Sequence, residues 1–275
     1  VTVLIGVTAG LLIGATLGAM GGGGAIITVP VLIYLLGQSP TEATTGSLVV
    51  VGVSAAVSMT AHHRAGRVRW VEGAAFGLLG TLGTAVGSRL STRVDPQVLL
   101  LSFAILLIVV AALLVLRARS RWRAGPADEG ELGLAEPVVQ LRPTLMCNCP
   151  RALRVVGAAS VVGLVTGFFG VGGGFVVVPA LVMALDFTMP VAAGTSLLVI
   201  AINSATALAS RLGAGINLDW PLLLIMTATA VGGSLVGTRV AGRVSPRALT
   251  HAFAALLIVV AGYTGVQTLV HLAAA

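Results

Sequence analysis

The sequence predicts an all-α polytopic membrane protein of two homologous, inverted repeats, each with a Gly-broken, re-entrant helical hairpin and three spanning helices. Three observations lead there. The 275 residues are 57% apolar and 9% charged, with a mean hydropathy of +1.05, where an ordinary soluble domain carries about 25% charged residues. The apolar residues fall into blocks, most of them near the ~20 residues needed to cross a bilayer. The chain also writes one glycine stretch twice: Met20 to Pro30 reads M-G-G-G-G-A-I-I-T-V-P, and Phe169 to Pro179 reads F-G-V-G-G-G-F-V-V-V-P.

Charge excludes several other classes. A net charge of +7 and a pI near 11.2 raise the question of nucleic acid. All sixteen basic residues are Arg, nearly all between apolar runs, which is the positive-inside pattern and not a basic groove. Without Lys the glycine tracts cannot be a Walker A loop. Nor do they fit G-x-G-x-x-G, since Ile26 and Phe175 stand where the last glycine belongs. The first twenty residues lack a basic n-region and match the second repeat from Gly14 onward, so they read as mature structure and not as a signal peptide.

The repeat is collinear over most of the chain. At a spacing of 149, Gly14 and Gly18 match Gly163 and Gly167, Pro30 matches Pro179, and Ser47-Leu48 matches Ser196-Leu197. After a one-residue slip, Gly83, Gly87 and Arg89 match Gly233, Gly237 and Arg239, and L-L-I-V-V-A recurs at Leu106 to Ala111 and Leu256 to Ala261. The division is therefore 1–117 for the first transmembrane repeat, 118–150 for a cytoplasmic linker and 151–275 for the second.

Taken in order, the blocks are 1–36, 42–61, 70–88 and 97–117, then 152–185, 190–210, 220–238 and 247–270. The last three of each half suit ~30 Å of hydrocarbon at 1.5 Å per residue. The first is too long: as one straight helix it would reach roughly 50 Å and push an apolar end into water. A hairpin at Gly21 to Gly24 removes the problem, leaving 25–36 as about 18 Å of helix that cannot span. Each half then makes an odd number of crossings and the halves are inverted. Inversion gathers thirteen Arg on one side and leaves Arg89, Arg93 and Arg211 on the other; parallel halves would divide them eleven to five. The richer side is assigned to the cytoplasm. Trp70 and Trp220 stand at matched block starts, as interfacial anchors do. The stretch 118–150 is polar, charged and Pro-containing, hence a linker. Its Cys147-x-Cys149 reads as two reduced thiols or, with less support, as a soft-metal or redox pair.

No constellation looks catalytic and none has metal-ligand spacing. His62 and His63 read as loop residues beside Arg64, and Glu72 as an interfacial charge. The glycine tracts are the best candidate site. Glycine leaves backbone N–H groups open to close approach, and a helix starting at about Gly24 or Gly173 aims its positive dipole end into the break. A desolvated anion needs such donors where no cation is at hand. Pro30 and Pro179 weaken the short helices one turn in. The pairs Gly14-Gly18, Gly73-Gly77, Gly83-Gly87 and Gly233-Gly237 are read as helix-packing contacts. Thr44-Thr45-Gly46-Ser47 and Gly194-Thr195-Ser196 lie in the first turns after Pro40 and Pro190, where their hydroxyls ligate an oxyanion or cap the helix. Asn203, with Ser54 as its counterpart, is either an interhelical hydrogen bond or a ligand.

The G-x-G-G-G-x-x-x-x-P of Gly170 to Pro179, followed by A-A-G-T-S-L-L at Ala192 to Leu198, resembles the TauE/SafE sulfite-exporter family, the TSUP permeases. The likeness covers both halves, while the first copy departs with four successive glycines and T-T-G-S. The resemblance implies a secondary transporter of small sulfur-containing anions such as sulfite, sulfoacetate or related sulfonates across a bacterial inner membrane, without ATP, a cofactor or nucleic acid.

The expectation is an alternating-access carrier with the anion near the midplane. It would be held by the backbone N–H groups of Gly22, Gly23, Gly24, Ala25, Gly172, Gly173, Gly174 and Phe175, with Thr45, Ser47, Thr195, Ser196 and Asn203 as side-chain donors. Partners are the anion, the lipid bilayer and a coupling proton or other ion. Arg89 and Arg239 stand at matched helix ends, as mouth charges or ordinary interfacial ones. The alternatives are an anion channel or a permease for a carboxylate or inorganic anion and, in another class, a membrane scaffold acting through the Cys-containing linker.

Overall fold

The computed structural model describes residues 2–91, 96–124, 139–140, 146–147, 149–169, 174–211 and 218–274. They form ten helices: α1 (Thr2–Met20), α2 (Gly23–Pro30), α3 (Pro40–Arg64), α4 (Trp70–Ser91), α5 (Pro96–Ala124), α6 (Cys149–Phe169), α7 (Gly174–Ala184), α8 (Met189–Ser210), α9 (Trp220–Ala241) and α10 (Pro246–Ala274). Between α5 and α6, Val139–Gln140 pairs antiparallel with Met146–Cys147. Thr41–Arg64, Met189–Ala209, Trp220–Ala241 and Pro246–Val266 are each long and apolar enough to cross a bilayer. Exposed Leu, Ile and Val side chains such as Leu12, Leu82, Ile105, Leu224 and Ile258 face outward, which suits a lipid solvent.

Local chemistry sets the helix boundaries. The Ser39 side chain accepts from the Glu42 N–H while the Glu42 carboxylate accepts from the Ser39 N–H, a capping box with Pro40 in the first turn. Asp219 caps α9 through the Leu222 N–H at 3.2 Å. Gly66 closes α3 at a φ of +69°. The first apolar block breaks where expected: α1 stops at Met20, Gly21 takes a φ of +74°, and α2 starts at Gly23. Past Pro30, α2 widens into a π-helical turn over Val31–Leu35, a common accommodation of a residue that brings no N–H to the ladder. Helix α5 runs beyond the apolar block to Ala124, because R-A-R-S-R-W-R-A is rich in good helix formers.

Helices pair across the halves in a reciprocal way: α1 packs on α9 and α4 on α6, α3 packs on α8, and α5 on α10. The first two pairs are glycine seams. A β-carbon on Gly14 or Gly18 would lie 1.9 or 2.0 Å from the carbonyl oxygen of Ala230 or Ser234, and one on Gly233 or Gly237 would lie 2.3 or 2.2 Å from that of Leu11 or Ala15. The same interlock joins Gly83 and Gly87 to the α6 backbone, and Gly163 and Gly167 to Gly80 and Thr84. Such approach gains packing and leaves no space for lipid. Both seams run with their chains parallel.

The α3–α8 pair runs the other way. Its contacts join Thr44 and Thr45 to Arg211, Gly52 to Ser204, and His62 to Gly194, so numbers rise on one helix as they fall on the other. At one face this sets the end of α3 beside the start of α8, where the Arg69 N–H donates to Thr195 Oγ1 at 3.1 Å. The Arg117–Asp186 ion pair ties the last third of α5 to the α7–α8 connection.

Candidate functional site

The short helices position the centre. After the turn at Gly21 and Gly22, α2 folds back on α1, where a β-carbon on Gly24 would meet Ile13 O at 2.5 Å and Leu17 Cβ at 2.7 Å. Gly21 to Ala25 are all buried. A β-carbon on Gly22 would lie 1.8 Å from Gly174 O, and one on Gly174 would lie 3.3 Å from Ala25 Cβ. The first break thus touches the start of α7 backbone to backbone, with Phe175 buried beside it. Gly172 and Gly173 lie outside the described residues, as do Gly170 and Val171. The Gly22 N–H bonds to Met20 O at 3.0 Å within the turn. No side chain caps α2 at Gly22, so the first turn of α2 meets the break through bare backbone.

The expected hydroxyls divide between two ends. Ser196 stands against the first break, its Oγ 2.2 Å from where a Gly21 β-carbon would be, and donates to Ala193 O at 2.8 Å. Thr195, fully buried, receives the Arg69 N–H. Thr45 and Ser47 are at the opposite end of the α3–α8 pair: Thr45 donates to Thr41 O at 2.8 Å and Ser47 to Thr44 O at 2.9 Å. On α8, sixteen residues of helix separate Thr195 from the Arg211 that meets Thr45, roughly 24 Å of rise. Among the described residues, Thr45, Ser47 and Ser196 cap nothing and send their protons one turn back along their own helices.

Between these ends lies a set of buried polar atoms without hydrogen-bond partners among the described residues: Ser54 Oγ, Ser58 Oγ and Asn203 Oδ1. Ser54 and Ser58 are one turn apart on α3 and fully buried, and Asn203 is on the facing stretch of α8. An unpaired buried polar group costs about 1–3 kcal/mol, so three along one helix pair mark a place suited to a polar guest.

Sequence reasoning missed the role of one residue and misread three others. Arg211 Nη1 donates to Thr45 Oγ1 at 2.7 Å and Thr44 Oγ1 at 3.1 Å. Partial burial lowers the proton affinity of its guanidinium, which stays charged all the same. His62 is not a loop residue: it lies in the last turn of α3, 1% exposed, with Nε2 2.9 Å from Gly18 O. Position 62 is 149 residues before position 211, so the repeat spacing could have flagged both. Glu72 is buried, against expectation, because the start of α4 packs on α8 through Gly73, Thr195 and Leu198. His63 is not a loop residue either: it lies exposed in the last turn of α3 and accepts from Trp70 Nε1 at 3.1 Å. The side chains of Arg89, Cys147 and Cys149 lie outside the described set. The Arg239 side chain is exposed near the end of α9.

The family model of the sulfite exporter TauE/SafE matches residues 6–264. A probable membrane transporter protein of Xylella fastidiosa strain Temecula1 is 33% identical over 266 residues, covering 95% of this chain and 94% of its own. Another from strain 9a5c is 32% identical over 266 residues, with the same coverage. The probable membrane transporter protein YunE of Bacillus subtilis is 26% identical over 261 residues, covering 92% and 94%. No solved structure matches. The chain therefore belongs to the sulfite exporter TauE/SafE family and is an integral membrane transporter, not an enzyme.

Proposed function

We propose that this transporter moves a small sulfur-containing oxyanion, such as sulfite, sulfoacetate or a related sulfonate, across the bacterial inner membrane by alternating access. The observation that carries the reading is the backbone contact between the first glycine turn, at Gly22, and the start of α7, at Gly174. Two re-entrant hairpins arriving from opposite faces supply a barrier that can part on either side while the rest of each seam stays packed. The antiparallel α3–α8 pair supports an inverted relation between repeats 1–117 and 151–275, joined by the linker 118–150.

In this reading the anion enters as the turns separate. The first N–H groups of α2 and α7 meet it with their positive dipole ends, and Ser196 rotates from Ala193 O to donate to it. Ser54, Ser58 and Asn203 complete its shell along the α3–α8 pair. Arg211, held by Thr44 and Thr45, attracts the anion at the arginine-poor face, while the arginine-rich face is cytoplasmic. Oxyanions suit such a site because several oxygens can each accept one bond.

Uptake into proteoliposomes with sulfite, thiosulfate, sulfoacetate, sulfate and chloride tests the proposal. Saturable uptake of a sulfur anion, accelerated by the same anion on the opposite side, is the expected result. Ohmic currents without countertransport, or uptake of none of the sulfur anions, would overturn it.

A further inference from the structure

The two halves carry different basic groups at one pair of matched positions. Residues 62 and 211 are 149 apart, the spacing that relates Gly14 to Gly163 and Pro30 to Pro179. Each ends its long helix against the start of the other half's equivalent helix: Arg211 bonds Thr44 and Thr45 on α3, and the His62 Cβ lies 3.2 Å from where a Gly194 β-carbon would be on α8. One end of the α3–α8 pair therefore carries a permanent cation, and the other a group that can be neutral or positive.

The surroundings of His62 leave one nitrogen ready to titrate. The Gly18 carbonyl only accepts, so Nε2 must carry the proton of the 2.9 Å bond. Thr238 Oγ1 approaches the same carbonyl at 3.3 Å. Nδ1 is buried and has no partner among the described residues. Gly18 is the last full turn of α1 before the break, so the imidazole is fastened to the hairpin whose movement the proposed function invokes.

No ionisable side chain occurs on α1, α2 or α8, which pack around α3. Among the described residues, the titratable and charged groups near this end are His63 and Arg64 on α3, Arg67 and Arg69 in the α3–α4 loop, Glu72 on α4, Arg239 on α9 and Arg243 just past its end. An arriving anion attracts a positive imidazole and can tip the group toward its charged form.

We infer that His62 is the proton carrier of the transport cycle. Nδ1 takes up a proton as the anion binds, forming an imidazolium whose charge offsets the anion, and returns it on the opposite face after the turns exchange access. No other bond is made or broken, and the proton comes from water. This rests on the proposed transport reading.

The test compares two fluxes of sulfite in proteoliposomes, exchange at symmetric pH and net uptake driven by a pH gradient, in the wild type, His62→Gln and His62→Arg. Gln keeps a donor for Gly18 O but does not titrate, and Arg installs the fixed cation of the other half. The ratio of gradient-driven uptake to exchange should fall at least tenfold in both variants, with exchange surviving in at least one. An unchanged ratio overturns the inference, and so does loss of exchange in both variants, which would make His62 structural. A wild type without sulfite exchange would instead fail the transport reading for that anion.

Discussion

A β-carbon on Gly22 would sit 1.8 Å from the carbonyl oxygen of Gly174 and 2.8 Å from Phe175 Cα, yet the φ of Gly22 is −76°. Its backbone suits any residue, so the constraint is contact alone. Gly22→Ala should therefore separate the two breaks, abolish transport and cost about 1–3 kcal/mol by overpacking. Gly262→Ala, with nothing within 4 Å of its β-carbon, should leave transport intact and raise stability slightly, since Ala is the better helix former. Uptake and thermal unfolding of the two variants in detergent check this. At the other end, Arg211→Gln loses the charged donor to Thr44 and Thr45. The KM for the anion should rise about tenfold, equivalent to ~1.4 kcal/mol, with little change in melting temperature because the side chain is partly exposed. An unchanged KM would remove Arg211 from the anion's path.

Among elements, the seams carry the larger energies. Gly18→Leu or Gly237→Leu drives a branched side chain into a backbone carbonyl about 2 Å away. Each should cost about 3 kcal/mol or prevent folding, read as early melting or loss of the monodisperse peak in size-exclusion chromatography. The α7–α8 connection should be far more tolerant. Asp186 combines a φ of +59° with a half-exposed ion pair to Arg117. Asp186→Gly loses at most about 1 kcal/mol of ion pair and relieves a left-handed backbone worth a similar amount, so melting should shift by only a few degrees.

These elements also show what was legible in advance. The seams and the first break could be read because close approach and positive φ demand glycine, which leaves a mark at fixed spacing. The burial of His62 and Glu72 could not. A polar residue near a helix end looks the same in sequence whether it meets water or a neighbouring helix, and here α1 and α8 cover it. The hydroxyls of Thr45, Ser47, Thr195 and Ser196 lie in the early turns after Pro40 and Pro190 that the sequence indicates, but the donors that reach Thr45 and Thr195, Arg211 and the Arg69 N–H, come from the other half.

At the scale of the whole molecule, the account needs halves that face opposite ways and a barrier formed by their hairpins. Single cysteines replacing Arg67 and Arg211, in a background without Cys147 and Cys149, should label from opposite sides of the membrane. Labelling of both from one side would contradict the inverted arrangement. The barrier is open to a more direct measurement. A β-carbon on Gly174 would lie 3.3 Å from that of Ala25, near the ~3.5–4.5 Å that a disulfide requires. In the same cysteine-free background, Ala25→Cys with Gly174→Cys should cross-link on oxidation once the Ile200 side chain gives way. Anion uptake into proteoliposomes should stop when the bond forms and return on reduction. Undiminished uptake with the bond fully formed would contradict a cycle in which the two turns part.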